Sequence, residues 1–274
     1  MTRNPDETLA QSVGHRSDRT LERMAIDAEE SFAAYVASMP PEYRGAFDDE
    51  ATRAHERIVR RRGRRSTHVE IWRELSERVI AICVVADDKP GLLSRITGAL
   101  VAQHIDVVSA HAYCRQREDG TVEAVDLLWI RRLPSAKGTV APIRAKDIIA
   151  LRETIDRAAS EASTGDAPFP GPPASGASAR VCFETDASDG ATILTVEAVD
   201  RPGLLLAVTQ ALFRAGLQIV GLRATTERGC AVDRFKLADA RGKPLRREQL
   251  FALQIAILEA VDEGTLAPQR KSAG

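Results

Sequence analysis

The chain has 274 residues, 44% of them hydrophobic, with 38 Lys plus Arg against 39 Asp plus Glu for a net charge of -1. That balance carries no electrostatic footprint for nucleic acid, and 4% aromatics is too few for a single-strand stacking platform. No stretch approaches the ~20 apolar residues of a membrane span, no apolar signal region opens the sequence, and Cys83, Cys114, Cys182 and Cys230 are too scattered for a zinc knuckle. A cytoplasmic protein with reduced thiols and about two domains is expected.

Residues 1–17 read as a disordered N-terminus and residues 18–66 as a helical segment. Leu21, Met24, Ala28, Phe32, Tyr35 and Met39 have helical spacing, and Pro40-Pro41 ends that helix. A second helix is predicted over 48–62, capped by Asp48 or Asp49. It runs into the basic cluster Arg57–Arg65, which reads as a solvated helix end or, alternatively, as a phosphate-binding patch.

The main body contains an internal repeat. Residues 84–112, VVADDKPGLLSRITGALVAQHIDVVSAHA, align without a gap with 196–224, VEAVDRPGLLLAVTQALFRAGLQIVGLRA, at an offset of 112. Ala124-Val125-Asp126 and Ala231-Val232-Asp233 then match at an offset of 107, so the second copy has lost five residues between two strand patterns, where a hairpin loop tolerates it.

Each copy predicts the same elements. Val79–Ala86 and Ile193–Val199 are apolar, β-branched strands. An Asp-x-Pro-Gly turn follows, in which Pro suits the first helical turn and Asp is placed to cap free amides. The helical faces are Leu92, Leu93, Ile96, Leu100 and Leu204, Leu205, Val208, Leu212, Ala215. Paired strands come next, joined by hairpin turns at Glu118-Asp119-Gly120 and Arg228-Gly229. A closing helix carries Ile148, Leu151, Ile155, Ala158 in one copy and Leu250, Leu253, Ile257, Val261 in the other. A fourth strand for each sheet is supplied upstream by His68–Leu75, which also reads as a helical turn, and by Arg180–Thr185.

The predicted fold class is therefore α+β, with two ferredoxin-like units over 67–162 and 179–265. A Pro/Gly/Ser linker at 163–178 separates them and a disordered tail follows at 266–274.

Two copies of Asp-x-Pro-Gly-Leu-Leu on this element order resemble a tandem ACT-domain protein. The resemblance extends to Met39-Pro40-Pro41-Glu42-Tyr43, the helix with His55, RVCFETDASDG, and Asp239-x-x-Gly242-Lys243-Pro244-Leu245, which together are similar to the C-terminal region of bacterial PII uridylyltransferases. It covers roughly 20–265 and implies a regulatory, amino-acid-binding module with glutamine as first candidate. The family's Asp-x-Asp nucleotidyltransferase motif is missing, and none of His15, His55, His68, His104 and His111 precedes an Asp, so no HD phosphohydrolase site is expected. No catalytic residue, metal ligand or cofactor is assigned.

A helix N-terminus favours a carboxylate, and glycine allows close approach. The candidate ligand residues are accordingly Asp88, Lys89, Pro90, Gly91, Leu92 and Asp200, Arg201, Pro202, Gly203, Leu204, with the aspartates free to meet an ammonium group if they are not caps. The resemblance implies a second wall at Asp106–Ala110 or Gln218–Leu222. Asp126 and Asp233 read as polar anchors in apolar strands, and the cysteines as small core residues. A homodimer through the sheets, or a protein partner on the N-terminal helices, is the expected association. The alternatives are a separately encoded part of a uridylyltransferase system and a ligand-free dimerisation module.

Overall fold

A computed structural model of the chain describes residues 29–160, apart from 77, 118, 136 and 137, and residues 179–263. The expectations for 1–17, for the linker at 163–178, for the tail at 266–274 and for Leu21, Met24 and Ala28 lie outside the described residues.

Among the described residues, eight strands form one antiparallel sheet. In chain order they are β1 (Thr67–Glu74), β2 (Ile80–Asp87), β3 (Ile105–Gln116), β4 (Val122–Arg132), β5 (Arg180–Thr185), β6 (Thr192–Val199), β7 (Gln218–Glu227) and β8 (Cys230–Ala238). Their spatial order is β1-β2-β4-β3-β7-β8-β6-β5. His68–Leu75 is thus a strand and not a helical turn, with a bulge between Ile71 and Arg73. The helices are α1 (residues 29–38), α2 (Pro41–Arg44), α3 (Asp49–Arg62), α4 (Leu92–Ala102), α5 (Ala145–Ser160), α6 (Leu204–Arg214) and α7 (Arg247–Glu263). The fold is α+β.

The repeat is visible in the register. Val84 opposes Asp126 as Val196 opposes Asp233. Bulges fall between Val107 and Ser109 and, at the equivalent place, between Ile219 and Gly221. Arg115 pairs with Glu123 as Glu227 pairs with Cys230, so the five-residue deletion shortened the hairpin tip without shifting register. In the shorter hairpin, Arg228 (φ 51) and Gly229 (φ 79) both take positive φ, the two-residue loop whose twist matches the strands it joins.

The halves join where β3 pairs with β7. Ser109 opposes Thr225, His111 opposes Arg223 and Tyr113 opposes Gly221, a pattern that maps onto itself when the copies are exchanged. An approximate twofold axis therefore passes through the His111–Arg223 pair. The sheet presents Ile82, Val84, Leu194, Val196 and Phe235 to α4–α7 in a single continuous core.

Among the described residues, the opposite face is covered by an apolar layer in the first half. Tyr35, Met39, Tyr43, Ile58 and Val59 from α1–α3 pack on Cys83, Val85, Val125 and Leu127. That explains the unbroken apolar run of β2, which is buried on both faces. In β6 the outward residues Thr195, Glu197 and Val199 are less covered. Asp48 caps α3, its Oδ1 accepting from the Ala51 amide at 2.8 Å.

Arg62 is 2% exposed and donates to Asp87, to Glu123 and to the carbonyls of Arg65 and Ser66. Arg60 reaches Glu56 and Arg61 reaches Glu70, but these arginines, with Arg57, Arg64 and Arg65, are exposed, so the solvated helix end is corrected at Arg62 alone.

Candidate functional site

Both Asp-x-Pro-Gly turns are built alike. Leu92 donates to the Lys89 carbonyl at 3.0 Å and Leu204 to Arg201 at 3.1 Å. The helices then start from Gly91 (φ 75) and Gly203 (φ 76), neither helix having a side-chain cap. Only glycine adopts this left-handed conformation without strain. The expectation that Asp88 and Asp200 cap their helices is therefore corrected: the turn inserts Gly at the cap position and leaves the aspartates short of the helix amides. At Gly91 a Cβ would stand 2.5 Å from Phe213 Cδ2.

Each turn faces the start of the second strand in the other half. All five residues Asp88–Leu92 line a cavity of about 80 Å³ whose far wall is Leu217, Gln218 and Ile219. Asp200, Arg201, Gly203 and Leu204, but not Pro202, line a cavity of about 30 Å³ whose far wall is Asp106–Ser109. Leu217 is positioned by the end of α6: its amide reaches the Leu212 carbonyl at 3.1 Å while Gly216 (φ 70) reaches Phe213 at 2.9 Å, a Schellman closure.

The electrostatics are acidic in both. Asp126 sits at the floor of the first cavity, fully buried, and burial followed by the neighbouring Asp88 pushes its carboxyl up to about 8. Asp88, at the mouth, is raised by burial and pulled partly back by Cys114, whose Sγ lies 3.6 Å from Oδ2. Burial also pushes the Cys114 thiol up, so it stays neutral. In the second cavity Asp233 is pushed up to about 7 by burial and then by Asp200. Asp106 is raised by burial, with Arg131 opposing through hydrogen bonds of 2.9 and 3.1 Å to Oδ2. Arg201 is buried and donates to the Val261 carbonyl of α7 at 2.6 Å, whereas Lys89 is exposed.

Chemically, each arrangement offers a pair of neighbouring acidic groups, one of them a buried carboxyl that holds its proton more tightly than usual, for a cation, beside a helix N-terminus for an anion, the two charges of a zwitterion. Asp126 and Asp233, expected as anchors, line the cavities as well. Their repeat equivalence was the available signal. Phe213, which also lines the first cavity, had none, because only the fold brings α6 to the first turn, whereas Ser94 follows the predicted turn by two residues on α4. Among the described residues, no group of three or more His, Cys, Asp or Glu is placed to hold a metal ion, and no helix is long and apolar enough to cross a membrane.

No protein-family model matches the chain. Curated relatives do. A bifunctional uridylyltransferase/uridylyl-removing enzyme of Rhodospirillum rubrum is 26% identical over 269 residues, covering 94% of this chain and 28% of the enzyme. Those of Azospirillum brasilense and Gluconobacter oxydans are 28% and 30% identical, over 81% and 83% of this chain and 24% and 25% of theirs. The chain thus spans about a quarter of the length of the relatives it matches. A solved structure of an unknown protein from Galdieria sulphuraria aligns with 68% of the chain at 16% identity and a TM-score of 0.22, too remote to carry an argument.

Proposed function

We propose that the chain is a regulatory module of two ACT-type, ferredoxin-like units that binds a small amino acid, with glutamine the first candidate, and signals to a partner in nitrogen metabolism. The observation that carries this reading is the reciprocal placement of the turns: Asp88–Leu92 faces Gln218–Ile219, and Asp200, Arg201, Gly203 and Leu204 face Asp106–Ser109. Each turn supplies a carboxylate for the ammonium group and a helix start for the carboxylate. The similarity to uridylyltransferases, whose names assign them uridylyl transfer and removal, supports the nitrogen-regulatory setting.

A thermal-shift screen with the common L-amino acids tests it. A ligand at ~100 times its dissociation constant stabilises the native state by about 2.7 kcal/mol, a rise of several degrees. No shift with any of them favours the dimerisation module. A second reading, a separately encoded part of a uridylyltransferase system, is favoured by the quarter-length coverage of enzymes. Labelled UTP with a PII protein, Mg²⁺ or Mn²⁺ and an added catalytic uridylyltransferase chain separates the two: a part of that system changes incorporation when mixed with the catalytic chain, whereas the sensor alone incorporates no label above the enzyme-free control and leaves that chain's rate unchanged.

A further inference from the structure

The two cavities are equivalent by repeat yet differ in side chains, two of the differences bearing directly on a ligand. Ser94 of the first is Leu206 of the second, and Gln218 in the wall of the first is Asp106 in the second. Ser94 is 3% exposed, lines the first cavity, and its Oγ has no hydrogen-bond partner. A helical serine ordinarily returns its hydroxyl to the carbonyl one turn back. For Ser94 that carbonyl is Pro90, which instead accepts from Arg95 Nη1 at 3.0 Å. A buried hydroxyl left unsatisfied is costly, so a position that keeps one beside an open space asks for a ligand acceptor.

We infer that the chain holds one amino acid rather than two, in the first cavity, with Ser94 hydrogen-bonding it there. This rests on the reading of the turns as amino-acid sites. The amides of Leu93 and Ser94 lie in the first turn of an 11-residue helix, where no intrahelical acceptor exists. They and the Ser94 hydroxyl receive the ligand carboxylate, while Asp88 and Asp126 face its ammonium group. The second cavity has a like helix start but not the hydroxyl. Leu206 offers no polar atom, the Asp106 carboxylate is already engaged by Arg131, and about 30 Å³ accommodates only about two waters.

Isothermal titration of the full chain, with whichever common L-amino acid shifts its melting most, tests this. One ligand per chain is expected. Ser94→Ala should bind at least about tenfold more weakly, the worth of one hydrogen bond to a charged group, while its ligand-free melting temperature stays level or rises because an unsatisfied buried hydroxyl is gone. A merely structural Ser94 would leave affinity unchanged. Two ligands per chain, or wild-type affinity in Ser94→Ala, overturns the inference and leaves the amino-acid reading standing. No binding by any of the amino acids overturns both.

Discussion

Thr97 Oγ1 and Thr209 Oγ1 meet at 3.3 Å between α4 and α6, and the 112 residues that separate them are the offset of the repeat. Each hydroxyl also reaches carbonyls of its own helix, Leu93 and Ser94 for Thr97, Leu205 and Leu206 for Thr209. The local axis that relates the two halves therefore passes between two copies of one residue in the core. If the pair couples the halves, Thr97→Val and Thr209→Val each cost about 0.5–1.5 kcal/mol. The double variant then costs less than their sum, because either change alone already removes the shared contact. Urea unfolding of the four proteins checks this. Strict additivity would show that the two hydroxyls do not interact.

Gly91 faces two demands that Gly120 faces singly. Both have positive φ, 75 and 81, but a Cβ at Gly91 would meet Phe213 at 2.5 Å while one at Gly120 meets nothing within 4 Å. Gly120→Ala is expected to cost about 1 kcal/mol of backbone strain. Gly91→Ala adds an overpacking term of about 1–3 kcal/mol. Equal losses in thermal unfolding would mean that Phe213 yields without cost.

Much of this was legible in the sequence because its signals are local. The repeat offset, the Pro-Gly turns, the Arg-Gly hairpin and the apolar runs of β2 and β6 are short-range patterns that alternation, turn chemistry and spacing determine. The reciprocal walls at Gln218 and Asp106 were reached only through resemblance, since no local pattern brings residue 88 beside residue 218. Asp88 before Pro-Gly has the composition of a cap as well as of a ligand group, and only the left-handed Gly, which moves the helix start beyond its reach, decides against the cap. The N-terminal helices showed their apolar stripe but not its destination on the outer face of β2 and β4.

Asp126 makes ligand-free stability depend on pH in a stated direction. Its carboxyl is pushed up to about 8 in the folded protein by burial and then by Asp88, against about 4 in an unfolded chain. A group raised in this way contributes stability that is fully present below about 4 and is lost as pH rises through about 8. Asp233, pushed up to about 7, acts in the same sense. Asp126→Asn should therefore flatten the profile and be the more stable protein at pH 9. Parallel profiles for the variant and the parent, measured by chemical unfolding from pH 5 to pH 9, would contradict the buried, proton-holding carboxyl.

Arg62 ties α3 to the sheet from a position 2% exposed, with Glu123 equally buried. Removing a buried partner leaves an uncompensated charge, which costs about 3–5 kcal/mol. Arg115 also reaches Glu123, at 2.7 Å, so Arg62→Met is expected at the lower end, near 3 kcal/mol. The companion change Glu123→Gln, made in the Arg62→Met background, should restore part of the loss by removing that charge. An Arg62→Met protein as stable as the parent would mean that the basic cluster has no structural part.

Amide hydrogen exchange with and without saturating L-glutamine tests the central claim most directly. If an amino acid sits between the first turn and the other half, Leu92–Ser94 and Gln218–Ile219 gain protection together, although they are more than a hundred residues apart in sequence and meet only across this cavity. The corresponding segments of the second cavity, Leu204–Leu206 and Asp106–Ser109, should change less. Protection confined to other surfaces, or an exchange pattern that neither glutamine nor any other common amino acid alters, would contradict the account.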